Sequence, residues 1–220
     1  MNSFVITGSF WAPPFCQKEI LRYAGCKTAD SQVLRLMEEC MEEAKSKLSY
    51  RVCYRKLSVS VQGDDSCFGA FSFSSASLAE TIRGCKEAVF FAATVGSELD
   101  RLIGGYGRLS PAKALMLQAI GAERIEALCD LFCAWLTEEE KTFLTPRFSP
   151  GYGDLKLDTQ KEIFSVLECE KRIGVVLNHS LLMSPSKSVT AIVGLGKESK
   201  KAKNKCSSCP LQNCSFRGAL

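Results

Sequence analysis

Imidazole is almost missing from this chain: among 220 residues there is one histidine, His179, in "LNHSLL". A Ser-His-Asp triad would have to use that residue, and neither a nucleophile elbow nor another triad motif accompanies it. His179 therefore reads as a turn or strand-end residue. Charge of one sign is scarce too, since 28 Lys and Arg against 24 Asp and Glu leave a net charge of only +4. Much of that excess lies near the end, and phosphate binding needs a basic surface spread over the fold, so no nucleic-acid partner is expected. No stretch supplies the roughly 20 continuous apolar residues of a membrane helix, which argues against a membrane partner. The start, "MNSFVITGSFWAPPF", lacks the basic opening and apolar core of a secretory signal. "GLGK" at 194 to 197 lacks the preceding glycine and following Ser or Thr of a phosphate loop.

What is present suits a globular protein with a real core: 46% of residues are hydrophobic, enough for one large domain or a domain with an appendage. Twelve cysteines are plentiful. With scattered spacing and no signal, they point to a cytoplasmic, reducing compartment, most thiols serving as small buried apolar groups.

Periodicity divides the chain. "KEILRYAG" predicts a short helix stopped by Gly25, and from Asp30 a longer one follows, with Val33, Leu34, Met37, Cys40, Met41, Ala44 and Leu48 at helical spacing. "YRVCYRKLSVSVQ" alternates through Leu57, Val59 and Val61 as a half-buried strand, "GDDS" turns, and "CFGAFSF" returns as its partner. Ser77 can cap a short helix through Ile82, and "EAVFFAATVG" is an apolar strand. Ser97 is a plausible N-cap for "SELDRLIGG", and Ser110 and Pro111 open the long helix ending at "TEEE". Asp158 can cap "TQKEIFSVLECE", after which "RIGVVLN", "SLLM" and "SVTAIVGLG" read as short strands. Strands and helices do not alternate as a doubly wound parallel sheet requires, so an α+β domain with a mostly antiparallel sheet covered by helices is expected over residues 1–196. "KESKKAKNK" at 197–205 carries five lysines and no aromatic or large aliphatic residue, and reads as a basic linker. Residues 206–220 form a cysteine-rich tail.

One loop, "TPRFSPGYGDLKLDTQ" at 145–160, concentrates ligand-binding chemistry. Arg147 can grip a carboxylate through two parallel hydrogen bonds. Pro150 and Gly151 let the backbone turn sharply and approach a ligand closely. Tyr152 offers a ring face for a planar base or a cation and a hydroxyl for a hydrogen bond. A ligand with a carboxylate, a positive centre and a planar base would use all three, and S-adenosylmethionine is such a ligand. The same composition also makes a plain turn.

The stretch from "RFSPGYGD" to "MSPSKSV" resembles the activation domain of cobalamin-dependent methionine synthase, with its Arg-x-x-x-Gly-Tyr loop (Arg147, Gly151, Tyr152) and its Met-x-Pro-x-x-Ser-Val segment (Met183, Pro185, Ser188, Val189). Upstream, "KEILRYAG", "FAATVGSELDRLI" and "AIGAERIEALCD" look like the free-standing version of that domain, extending the resemblance over roughly residues 17 to 195. The resemblance implies a twisted antiparallel sheet that binds S-adenosylmethionine, with Arg147 on the ligand carboxylate, Pro150 and Gly151 supplying backbone contacts and Tyr152 flanking it. It also implies an acidic contact from the long helix, for which Glu126 is the best match beside Glu123 and Asp130. The family often follows Ser-Val with Trp-Tyr and His-Pro; here the chain reads "TAIVGLGK", with Val193 near the aromatic position, and His179 stands where the family often has Glu.

In that family the domain helps rescue an oxidised cofactor: cob(II)alamin takes one electron and is trapped by the methyl group of S-adenosylmethionine. This sequence has no Asp-x-His-x-x-Gly cobalamin motif. The resemblance therefore implies an accessory subunit serving a separate cobalamin-binding methionine synthase or other corrinoid protein, with an electron donor such as flavodoxin or ferredoxin.

Cys206, Cys209 and Cys214 have C-x2-C-x4-C spacing, in which the first pair can converge on one metal and Pro210 stiffens the following turn. Zinc and an iron–sulfur cluster both fit three thiolates plus a fourth ligand, from Cys16, Cys26, another cysteine or a partner; a metal-free tail also fits. Cys129 and Cys133, at i and i+4, fall in an apolar helix stripe and read as core. A second functional reading is an iron–sulfur or zinc redox or interaction module on the same fold without S-adenosylmethionine. A third, an independent S-adenosylmethionine enzyme acting on a small molecule, lacks a convincing general base.

Overall fold

The computed structural model describes residues 4–26 and 28–196, so the linker 197–205 and tail 206–220 expected from the sequence lie outside the described residues. Its centre is β6 (Glu87–Thr94), in which all but the first residue are buried. β6 is flanked antiparallel by β2 (Arg51–Ser58) and β10 (Ser188–Gly196); β1 (Ile6–Ser9) and β7 (Phe143–Leu144) complete a five-stranded sheet of order β1-β2-β6-β10-β7. The apolar run of "EAVFFAAT" follows from this position, because alternate side chains meet a core on each face.

Val89, Phe91 and Ala93 point to one face with Val193 and Ala191 of β10. There they meet α1 (Gln17–Tyr23), α2 (Ser31–Lys45), α4 (Glu98–Leu109) and the 30-residue α5 (Pro111–Glu140) through Ile20, Met37, Leu99, Leu128 and Phe132. Ala88, Phe90, Ala92 and Ile192 point the other way. That face is covered by α3 (Ala76–Ile82), α6 (Gln160–Leu167), α7 (Cys169–Ile173) and a small antiparallel sheet of β3 (Ser60–Gln62), β4 (Asp65–Cys67) and β5 (Ser72–Ser74). A last hairpin, β8 (Val176–Leu177) with β9 (Met183–Ser184), stands apart from both sheets. The expected α+β fold with an antiparallel sheet between helices is what forms.

Several local readings need correction. The strand expected over 50–62 divides at Val59, whose amide donates to the Lys86 carbonyl at 2.9 Å, and β3 leaves to found the small sheet. "CFGAFSF" also divides: the Phe68 amide donates to the Phe71 carbonyl at 2.8 Å, closing a turn through Gly69 at φ +73°. Ser75, not Ser77, caps α3, its Oγ accepting from the Leu78 amide at 3.1 Å. Asp158 caps no helix. It lies in a 3-10 turn (Leu157–Thr159) and pairs with Lys161 at 3.1 Å, while Glu168, at φ +49°, separates α6 from α7. Ser97 and Ser110 occupy N-cap positions without a side-chain bond to their helices, and Pro111 opens α5 as expected. Among the described residues no helix is long and apolar enough to cross a membrane.

Candidate functional site

Residues 145–148 run beside β10. The Thr145 amide donates to the Gly194 carbonyl at 2.9 Å, and Phe148 and Ile192 exchange amide hydrogen bonds at 2.9 and 2.8 Å. Phe148 turns into the second core. Its neighbour Arg147 takes the opposite side, as alternation in extended chain requires, and meets α5. One terminal nitrogen donates to Glu126 at 2.7 Å and the other to Asp130 at 2.6 Å. Burial works against the Arg147 charge, but nearby Cys129 and these two carboxylates more than offset it, so its pKa is raised and the side chain stays cationic.

After Phe148 the chain folds on itself. The Tyr152 amide donates to the Ser149 carbonyl at 3.0 Å and the Gly151 amide to the Leu155 carbonyl at 2.9 Å. Gly153, at φ +54°, sits where an added Cβ would lie 2.7 Å from Ser77 Oγ, so only glycine lets this turn approach α3 so closely. Asp154 then receives hydrogen bonds from Ser75 Oγ at 2.6 Å, the Ala76 amide at 2.7 Å and the Ser77 amide at 3.1 Å. The Ser75 bond, with help from the Ser77 donors, holds the Asp154 carboxyl well below the usual range.

Across from this turn lies the β8–β9 hairpin. Its Asn178 side chain accepts from the Ser180 and Leu182 amides, each at 2.9 Å. The segment that follows is tied to α4: Ser186 donates both its amide and its hydroxyl to Asp100, each at 2.6 Å. Loop, helix, hairpin and strand thus enclose a groove of about 630 Å³. Glu126, Arg147 and Ser149 provide its polar wall with Gln160 and Thr190, while Pro150, Tyr152, Leu157 and the hairpin leucines supply apolar surface. Tyr152 is 49% exposed, and burial of its ring's inner side, with Glu126 nearby, raises its hydroxyl pKa. A cationic fork, a carboxylate and an aromatic face at one apolar groove can hold an extended zwitterion with a planar base.

Four residues expected from the sequence therefore share one groove: Glu126, Arg147, Pro150 and Tyr152. Gly151 shapes the turn, at φ +87°, without lining the groove. Of the three helix acids considered, Glu126 and Asp130 reach Arg147, whereas Glu123 is buried against Arg124. Val193 is buried in the α5-side core and does not line the groove. Cys129 is core, as expected, and Cys133 packs against it; burial raises both thiols. His179 is exposed in the hairpin turn. Cys206, Cys209 and Cys214 lie outside the described residues, and among the described residues no group of three or more His, Cys, Asp or Glu is placed to hold a metal ion. The sequence reading missed Gln160, Thr190, Asp154 and Asp100. Only Asp154 carried a local signal, an acid closing a glycine-rich turn.

A family profile described as "Vitamin B12 dependent methionine synthase, activation domain" matches residues 84–205. Among solved structures, one described as "Crystal Structure of the MetH Reactivation Domain bound to AdoHcy" aligns with a TM-score of 0.65 and 16% sequence identity, over 90% of this chain and 80% of that one. At that identity the likeness is one of fold. No curated protein matches the chain.

Proposed function

This chain belongs to the family of vitamin B12 dependent methionine synthase activation domains, and we propose that it binds S-adenosylmethionine in the Arg147 groove and supports reductive remethylation of cob(II)alamin on a separate corrinoid protein. The observation that carries this reading is the meeting of Arg147, Glu126 and Tyr152 at one groove. Arg147 takes the ligand carboxylate, which frees Glu126 to accept from the ligand ammonium. Tyr152 and the hairpin leucines cover the adenosyl end, and Pro150 and Gly151 bring backbone close to the ligand.

The chemistry balances with two inputs. One electron from a donor such as flavodoxin or ferredoxin reduces the cobalt, whose electron pair then attacks the sulfonium methyl. The carbon–sulfur bond breaks, a carbon–cobalt bond forms, and S-adenosylhomocysteine leaves. This chain's residues bind and orient the methyl donor; the corrinoid sits elsewhere, consistent with the missing Asp-x-His-x-x-Gly motif.

Calorimetry with S-adenosylmethionine tests the reading. Binding is expected, and Arg147→Ala should weaken it by about 1.5–3 kcal/mol, the scale of hydrogen bonds to charged groups. No binding at millimolar ligand would remove the assignment. The spacing of Cys206, Cys209 and Cys214 supports a second, separable reading: a zinc or iron–sulfur site in the tail, contributing structure or electrons to the same system.

A further inference from the structure

We propose that Asp130 is a built-in competitor for the ligand carboxylate, holding one edge of the Arg147 guanidinium and thereby setting the affinity of the groove. The inference rests on reading the groove as a site for a carboxylate-bearing ligand and adds a residue that does not touch that ligand.

Glu126 and Asp130 stand at i and i+4 on α5, so their carboxylates lie one above the other on one helix face. Arg147 spans them, giving one terminal nitrogen to each at 2.7 and 2.6 Å. The two acids differ in where else they face. Glu126 lines the groove. Asp130 does not; it lines only a neighbouring cavity of about 600 Å³, beside Pro13, Pro14 and Tyr23, to which Glu126 also contributes. The bond to Asp130 therefore ties one guanidinium nitrogen to a residue outside the groove lining.

A ligand carboxylate that grips Arg147 through both terminal nitrogens must displace Asp130. The released acid loses little, because its side chain is already 74% exposed and water replaces the partner. It nevertheless remains close to an incoming like charge. An exposed ion pair of this kind sets an affinity penalty of about two- to five-fold. A residue that merely orients Arg147 would act with the opposite sign, since its removal would weaken binding.

Titration calorimetry on the whole chain and on Asp130→Asn separates the two. S-adenosylhomocysteine is the probe, with 5′-methylthioadenosine, which lacks the amino-acid end, as control. The expected result is a two- to five-fold tighter S-adenosylhomocysteine complex in D130N, unchanged methylthioadenosine affinity, and a gain that shrinks with added salt. Unchanged or weaker S-adenosylhomocysteine binding in D130N, or an equal gain for both probes, would overturn the inference while leaving the groove reading intact. If neither protein binds S-adenosylhomocysteine, the groove reading fails and the role of Asp130 falls with it.

Discussion

Asp154 accepts the Ser75 hydroxyl at 2.6 Å, joining the glycine turn of the groove to the start of the helix Ala76–Ile82 across 79 positions of sequence. The same carboxylate takes the Ala76 and Ser77 amides, two of the donors a helix start leaves open. Ser75 in turn caps the Leu78 amide, so helix and turn are fixed by one linked set of bonds.

That linkage sets a pH dependence. The folded pKa of Asp154 is depressed, chiefly by Ser75. Its contribution is therefore complete above the ordinary carboxylate value of about 3.9 and is lost only as pH falls through the lower folded value. Amide NMR shifts of Ala76 and Ser77 should stay constant through pH 4 and move in stronger acid. In Asp154→Asn these amides should show no such titration and S-adenosylhomocysteine should bind several-fold more weakly. Titration of the wild-type amides near pH 4 would contradict the assigned bonds.

Gly153 is the second constraint on the turn. At φ +54° an L side chain costs about 1–2 kcal/mol, and here the added carbon would also lie 2.7 Å from Ser77 Oγ and 2.9 Å from its Cβ. Gly153→Ala is expected to lower stability by about 1–3 kcal/mol in urea unfolding and to weaken ligand binding with it. A neutral substitution would mean that the turn is free to leave α3.

The legible parts of this molecule were those with local causes. Arg147, Pro150 and Tyr152 lie within one short stretch of sequence, and apolar periodicity placed the long helix that carries Glu126. Choosing among the helix acids was not a local question, since Glu126 and Asp130 share a face and both pair with Arg147, and only the groove, which Glu126 lines and Asp130 does not, distinguishes them. Ser75 and Ser77 are equally eligible caps in sequence; contact with Asp154 and Leu78 selects Ser75. Asp100 holds Ser186 from 86 positions away, and no spacing rule reaches that far. Apolar alternation likewise ran through the break at Val59, because both halves bury a face, though in different sheets.

The cysteine tail yields a compositional test. If Cys206, Cys209 and Cys214 hold metal, anaerobically purified protein should contain either zinc or iron with inorganic sulfide, and Cys209→Ser should lower the content sharply. Truncation before residue 206 should abolish it while leaving S-adenosylhomocysteine affinity unchanged, because the groove is built by residues 126–190. Metal retained after truncation would assign it to the body of the chain instead.

Arg124 is fully buried on α5 and pairs with its neighbour Glu123, which is 4% exposed. Its remaining donors hold the Pro13 and Pro14 carbonyls, its plane stacks 4.1 Å from the Phe15 ring centre, and Glu123 also accepts the Cys16 amide at 3.1 Å. Arg124→Met would strand a buried carboxylate and two carbonyls at once, an expected loss of about 3–5 kcal/mol. The double variant Glu123→Gln/Arg124→Met removes the stranded charge and should be the more stable of the two, by about 1–3 kcal/mol. Chemical denaturation of the two variants distinguishes the cases: the double variant should unfold at the higher denaturant concentration, and equal midpoints would mean that the Glu123 carboxylate finds water once Arg124 is gone.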